Sequence, residues 1–391
     1  MKRRTTLALA SGLLIVLSSL VVRAGETQAS SLSYEQSQDR AQFILLLRKA
    51  RQGDADAQWV AAATYLRLGE AGVALPLLSS AAAAGNVLAM SQLGVLHEEG
   101  RGVDKNHEKA LDWYRKAAEK GDPASMAALA RLLPRSDPQA KTLLRQSASA
   151  GDADAQYALG LELAGRGEER LWAESHEWML KSARQGHVGA QIVVGQQLLE
   201  GKVVKSDIAQ GVDWLARAAR SGNPVANFLI GRSYLARGEA SGEAARKHLL
   251  VAAEAGHREA QYLVGKMLAD SKIKEDKRKA AVWLENAWSA GHIAAANRLG
   301  ELLREPVEGL QQAIRARELF LQAAEKGNTD AMYNFAEMQH AGVGGEKDTF
   351  EALKWYGRAA DGKHERAMEV VESLLGSTLK TSSLGLKGFW Q

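Results

Sequence analysis

The sequence has no cysteine among its 391 residues, which excludes disulfides, thiol nucleophiles, thiolate zinc sites and lipid attachment through an N-terminal cysteine. It also lacks a genuine surplus of positive charge. The formal net charge is +4, but Lys2, Arg3, Arg4 and Arg23 all fall in the first 24 residues, which hold no acid, and the rest of the chain carries 46 basic and 46 acidic residues. No electrostatic case for binding a phosphate backbone remains, and no nucleic-acid partner is expected. Aromatic residues are scarce, at 6%. The 46% hydrophobic and 25% charged content nevertheless supports a large core and excludes a disordered tail or a disulfide miniprotein.

Only one apolar run approaches membrane-spanning length. Lys2, Arg3 and Arg4 precede Leu7 to Val22, followed by Val22-Arg23-Ala24 with the spacing of a signal-peptidase site, so residues 1–24 read as a signal peptide and 25–34 as a linker. The competing reading is an uncleaved anchor. Thr5-Thr6 after Arg3-Arg4 lacks the aromatic residue of a twin-arginine signal. Export of a chain of this kind points to a bacterial periplasm, with no membrane insertion after cleavage.

Internal repetition organises the rest. Glycines following an alanine-rich helix end recur at Gly53, Gly85, Gly121, Gly151, Gly186, Gly222, Gly256, Gly291 and Gly327, with a tenth marker at Lys363, where the glycine has slipped to Gly362. The spacing runs from 30 to 36 residues. Four residues after a marker stands a small residue, such as Ala57, Ala89 or Ala260, and nine after stands Gly or Ala, such as Gly94, Gly231 or Gly300. Trp113, Trp178, Trp214, Trp283 and Trp355 stand eight residues before the next marker. Each period therefore predicts two helices joined by a turn, as in Gly100-Arg101-Gly102-Val103. The two short units lose residues from that turn, around Gly69 to Gly72 and Pro134 to Pro138.

The stretches Ala89 to Gly121 and Ala331 to Gly362, with small-x-x-x-Leu-Gly, Gly-x-Gly-Val and Lys-Ala-x-x-Trp-Tyr-x-Lys-Ala-Ala-x-x-Gly elements, resemble the Sel-one-like repeat family, relatives of the tetratricopeptide repeat. The resemblance covers most of the chain. It implies an all-α, right-handed α/α solenoid of about ten helix-turn-helix repeats over residues 35–375, acting as an adaptor or scaffold for proteins, in bacteria often in exopolysaccharide export or envelope regulation.

The candidate chemistry is weak residue by residue. His187, His257, His292 and His364 each follow a marker, but successive repeats stand about a helix diameter apart, roughly 8–10 Å, too far to share one metal. They read as polar turn residues interchangeable with Asp54, Asn86 or Asn223. His97-Glu98-Glu99 lacks the second histidine of a zinc-protease helix, and Gly342 to Lys347 has the wrong spacing for a phosphate loop. No nucleophile stands at diagnostic spacing from a base. No catalytic residue, metal or cofactor is expected.

At 100° per residue, positions 4, 5, 8, 9 and 12 after a marker form one stripe, the expected core face. Gln58, Gln156, Gln191, Asn227 and Gln261 at position 5 read as structural amides. Position 6 falls at about 200°, outside the stripe, and carries Trp59, Tyr157, Phe228, Tyr262 and Tyr333. Position 10 supplies Arg131, Arg232 and Lys266, then Glu301 and Glu337. These rings and the three basic residues are the candidate partner contacts of a concave groove; the alternative is that the rings pack on the next repeat. Residues 376–391 lose the pattern and read as a flexible tail ending in Phe389-Trp390, either frayed or docked. The functional expectation is a non-enzymatic periplasmic scaffold for protein partners in exopolysaccharide export. The alternatives are a regulatory adaptor of an envelope sensor or protease and, behind it, a cell-wall-active enzyme.

Overall fold

A computed structural model describes residues 34–134, 136–238, 242–304 and 310–375. The signal segment 1–24 and the tail 376–391 lie outside the described residues. So does the linker except Tyr34, which is the first residue of a helix.

At most junctions the residue after the marker does two things at once, and this builds the repeat. At the Ala118-Glu119-Lys120-Gly121-Asp122 junction the Gly121 N–H donates to the Ala118 carbonyl at 2.8 Å and the Asp122 N–H to the Ala117 carbonyl at 3.1 Å, closing one helix in a Schellman motif. The Asp122 carboxylate then accepts from the Ser125 N–H at 2.8 Å and starts the next helix as its N-cap. The same pair of bonds ends the helix before Asn328, at 2.9 and 3.1 Å. This geometry demands a left-handed residue at the marker, and Gly327 has φ 89°.

Repetition of this junction yields α1 (Tyr34–Arg51), α2 (Ala55–Arg67), α3 (Ala71–Ala83), α4 (Val87–Glu99), α5 (His107–Glu119), α6 (Pro123–Leu132), α7 (Pro138–Ser149), α8 (Ala153–Gly165) and, after a 3-10 turn at Glu169–Leu171, α9 (Trp172–Arg184). The series continues with α10 (Val188–Glu200), α11 (Ile208–Ala219), α12 (Pro224–Leu235), α13 (Gly242–Glu254), α14 (Arg258–Ala269), α15 (Lys274–Ser289), α16 (Ile293–Arg304), α17 (Leu310–Glu325), α18 (Thr329–Ala341), α19 (Thr349–Asp361) and α20 (Glu365–Leu375). Even-numbered helices up to α18 are the first of a hairpin and the following odd-numbered helix is the second. The described residues thus form nine hairpins flanked by single helices, with no strand; this is an α-solenoid. The described residues divide into two compact units, unit 1 up to Val194 and unit 2 from Gly195.

The small residues set how closely each hairpin closes. On α14, Ala260, Gln261, Val264, Gly265 and Leu268 are all buried, which is the stripe expected from the sequence. A Cβ at Gly231 of α12 would stand 2.6 Å from Leu249 Cγ and 3.1 Å from the Ala245 carbonyl oxygen of α13, so only glycine permits that approach. Tryptophans of the second helices wedge beside this seam with a cation over the ring one turn on. Lys116 lies 4.4 Å above Trp113 and Arg358 4.5 Å above Trp355.

Candidate functional site

Three of the four histidines of the column are side-chain N-caps. Nδ1 of His187, His257 and His364 accepts from the N–H of Ala190, Ala260 and Ala367 at 3.0, 3.3 and 3.2 Å, the bond that Asp54 and Asn86 make elsewhere. The turn-residue reading is therefore correct and has a specific cause. His292 differs, because Ala295 N–H donates to the His292 carbonyl and its own Nδ1 has no partner.

Each of these histidines is also gripped by the preceding repeat. The rings of Tyr157, Phe228, Tyr262 and Tyr333 lie 4.3, 4.3, 4.1 and 4.6 Å from those of His187, His257, His292 and His364. An acid three residues after the earlier marker faces Nε2 in three cases: Asp154 at 3.5 Å, Glu259 at 3.0 Å and Asp330 at 3.6 Å. At the fourth junction that position is Val225, and burial pushes the His257 imidazole below its ordinary pKa.

The placement of position 6 thus corrects one expectation. Those rings do not stand clear of the packing; they lie against the next repeat's cap, and Phe228 is only 8% exposed. Trp59 is half-buried against the α2–α3 core. Among the basic candidates, Arg232 sits 5.5 Å over Phe228, Lys266 is exposed, and Arg131 reaches both oxygens of Glu98 at 2.6 and 2.8 Å. The position 5 amides are structural, as expected. Gln58, Gln156, Gln191 and Gln261 each donate to the carbonyl eight residues earlier, at 3.0–3.2 Å.

An open surface exists where position 6 has no ring. In the repeats of α4 and α6 that position is Ser91 and Ala127, and a groove of about 1130 Å³ runs along the first helices of unit 1. Val95, Ala124, Ala128, Leu133, Leu144 and Leu161 supply apolar lining, with Leu161 45% exposed. One wall holds a closed polar set. The Tyr114 hydroxyl donates to Glu98 at 2.9 Å while Arg131 grips the same carboxylate, and burial, followed by Glu98, holds the phenol well above its usual range. A phenol so held is a poor proton carrier at neutral pH. Of the partner contacts expected from the sequence, only Arg131 lines this groove.

The corresponding face in unit 2 is filled instead. Asn334 Nδ2 donates to Asn297 Oδ1 at 3.0 Å, and Asn297 Nδ2 to Glu301 at 3.0 Å. Arg298 pairs with Glu301 at 2.7 Å and with Asp270, and the Tyr333 hydroxyl donates to Glu337 at 2.9 Å. The position 10 charges Arg131, Glu301 and Glu337 are accordingly engaged in internal pairs. Among the described residues no three His, Asp or Glu side chains converge as a metal would require, and no helix is long and apolar enough to cross a membrane.

Comparison with known proteins follows the same period. The pattern described as "Sel1 repeat" matches residues 87–122, 125–152, 153–187, 188–223, 224–257, 258–292, 293–328 and 329–364. Among solved structures, a protective antigen of uropathogenic Escherichia coli strains that displays an SLR fold is 22% identical over 87% of this chain and 84% of that one, with a TM-score of 0.55. A Sel1 repeat protein from Oxalobacter formigenes is 21% identical over 93% and 94%, with a TM-score of 0.35. At these identities the first likeness is one of fold. No curated protein matches the chain.

Proposed function

The chain belongs to the Sel1 repeat family, whose members are generally non-enzymatic adaptors for other proteins, and on that footing we propose that it is a non-enzymatic scaffold that holds a protein partner on the first-helix face of unit 1. The observation that carries this reading is the apolar-floored groove opened by Ser91 and Ala127, beside polar groups that satisfy one another. Apolar lining with a polar rim is the make-up of a surface that binds another macromolecule. Arg131 is carried forward as a groove-wall contact; Tyr157, Phe228, Tyr262 and Tyr333 are assigned to the repeat junctions, and Trp59, Arg232 and Lys266 keep only a peripheral part.

The scaffold works in a bacterial periplasm, reached through the basic start and apolar run of residues 1–24, and its pathway is exopolysaccharide export. The alternative setting is regulation of an envelope sensor or protease. The test is photocrosslinking in cells from the groove residue Ala128 and, as control, from Val282, which is 61% exposed on a second helix. A single protein adduct from Ala128 and none from Val282 is expected. An adduct from Val282 alone moves the partner to a second-helix face of unit 2, and adducts from neither remove the scaffold reading.

A further inference from the structure

The chemistry of the groove's occupant can be read from its charges. Five carboxylates line it (Glu98, Glu99, Asp152, Asp154 and Glu162) against three cations, Arg131, Lys141 and Arg166. Two of the cations are already committed, Arg131 to Glu98 at 2.6 Å and Arg166 to Glu162 at 2.6 Å, and Glu99 is met by Arg101 at 3.3 Å. The remaining acids gather at one end. Asp152 caps α8 and Asp154 lies in its first turn, with Asp122, the cap of α6, close enough to act on Asp152.

The helix N-terminus and two backbone N–H groups favour the ionised Asp152, yet burial, together with Asp154 and Asp122, outweighs them and raises its pKa. The only histidine here, His187, faces Asp154 at 3.5 Å through Nε2. Asp154 itself is 83% exposed. Set against Lys141, the third lining cation, Asp152 and Asp154 leave that end of the apolar groove with a surplus of negative charge. An α-helix occupies on the order of 120 Å³ per residue of its length, so a groove of 1130 Å³ holds a segment of about nine residues.

We propose that the unit 1 groove takes a cationic amphipathic peptide segment of the partner, with apolar side chains over Ala127, Leu144 and Leu161 and a lysine or arginine beside Asp152 and Asp154. This rests on the scaffold reading and narrows it to one surface and one partner chemistry. Complementary charge selects such a segment and excludes an acidic one of equal hydrophobicity.

The probe is a fluorescein-labelled synthetic peptide of leucine, alanine and lysine, compared with the same peptide in which glutamate replaces every lysine, each titrated with the full mature chain by anisotropy. The lysine peptide is expected to bind at least about tenfold more tightly, with affinity falling as salt is raised. Asp154→Lys should remove most of that preference. Ala127→Trp, which fills the groove, should abolish binding, with Ser91→Tyr as a second filling variant should the first not fold. Asp330→Lys, the same repeat position in unit 2 and 66% exposed, should leave binding unchanged. Equal binding of the two peptides, or unchanged binding by a filling variant with parental helical content and melting, overturns the proposal. A partner crosslinked from Ala128 alongside either of those results removes the cationic segment while leaving the scaffold reading in place.

Discussion

Replacing His257 separates the two tasks that one ring performs at a repeat junction. Its Nδ1 accepts the Ala260 N–H at 3.3 Å, and its face lies 4.3 Å from Phe228 at an interplanar angle of 20°. His257→Asn keeps a capping acceptor, as Asn223 and Asn328 have, and removes only the stack, a loss of about 0.5–1.5 kcal/mol. His257→Ala also removes the cap, worth about 0.5–2 kcal/mol more. A folding unit of this size shifts by roughly 2–4 °C per kcal/mol, so circular dichroism should show Tm lower by roughly 1–6 °C for the asparagine variant and by roughly 2–14 °C for the alanine one.

Acid should act on the same ring. Burial, the largest cause, lowers its pKa; Arg258 acts in the same direction and Glu259 against it. The unfolded chain therefore takes up this proton more readily than the folded one, so the ring's contribution is complete above its ordinary value of 6.5 and is lost as pH falls through the lowered folded value. A proton on Nδ1 would also turn the capping acceptor into a donor facing the Ala260 N–H. His257→Asn should thus lose less Tm than the parent between about pH 7.5 and pH 5. Amide exchange at Ala260 should quicken in His257→Ala and not in His257→Asn. Equal melting of all three proteins at both pH values would refute both roles of the ring.

Three further substitutions test the packing and the groove wall. Gly231→Leu forces a side chain into a gap where a Cβ alone would meet Leu249 Cγ at 2.6 Å, and chemical denaturation should show a loss of about 1–3 kcal/mol. Lys363 has φ 66°, a conformation that costs an L-residue about 1–2 kcal/mol, so Lys363→Gly should raise Tm by a few degrees. Moving the glycine back by exchanging the two residues should fail, because a Cβ at Gly362 would stand 2.3 Å from Thr329 Cγ2. Arg131→Ala removes a pair whose arginine is 60% exposed and should cost no more than about 1 kcal/mol in a urea melt, while Tyr114 still donates to Glu98.

The repeat period, the two-helix unit and the core stripe were legible in the sequence because their causes are local. A glycine at Gly121 ends a helix, Asp122 begins the next, and a small residue at Gly231 or Gly265 lets a hairpin close; each acts within one turn or one hairpin. The histidine caps were legible for the same reason, since Asp54, Asn86 and His187 share one position and one backbone partner three residues on. The fate of Tyr157, Phe228, Tyr262 and Tyr333 was not. Helical phase fixes the side of a first helix that meets its own second helix, but it does not say that the following repeat covers the side next to it. The ring that phase alone placed in the open lies on a histidine about thirty residues later in the chain.

Charge misled in the same way. Arg131 and Glu301 occupy equivalent positions in their repeats; the fold brings Glu98 of the preceding repeat to the first, while Arg298, one turn earlier on the same helix, meets the second, and together these pairs cancel the groove pattern that the linear order suggests. The open groove itself has no motif. It arises because two consecutive repeats carry the small residues Ser91 and Ala127 where five others carry rings and two carry Ile192 and Asn297, and a surface made by missing side chains becomes visible only once its neighbours are in place. Sequence alone determined that this chain is a stack of close-packed helical hairpins, because every term in that conclusion is short-range. Tertiary structure alone decided which part of the stack is left open, because that depends on side chains from three different repeats meeting, or failing to meet, in space.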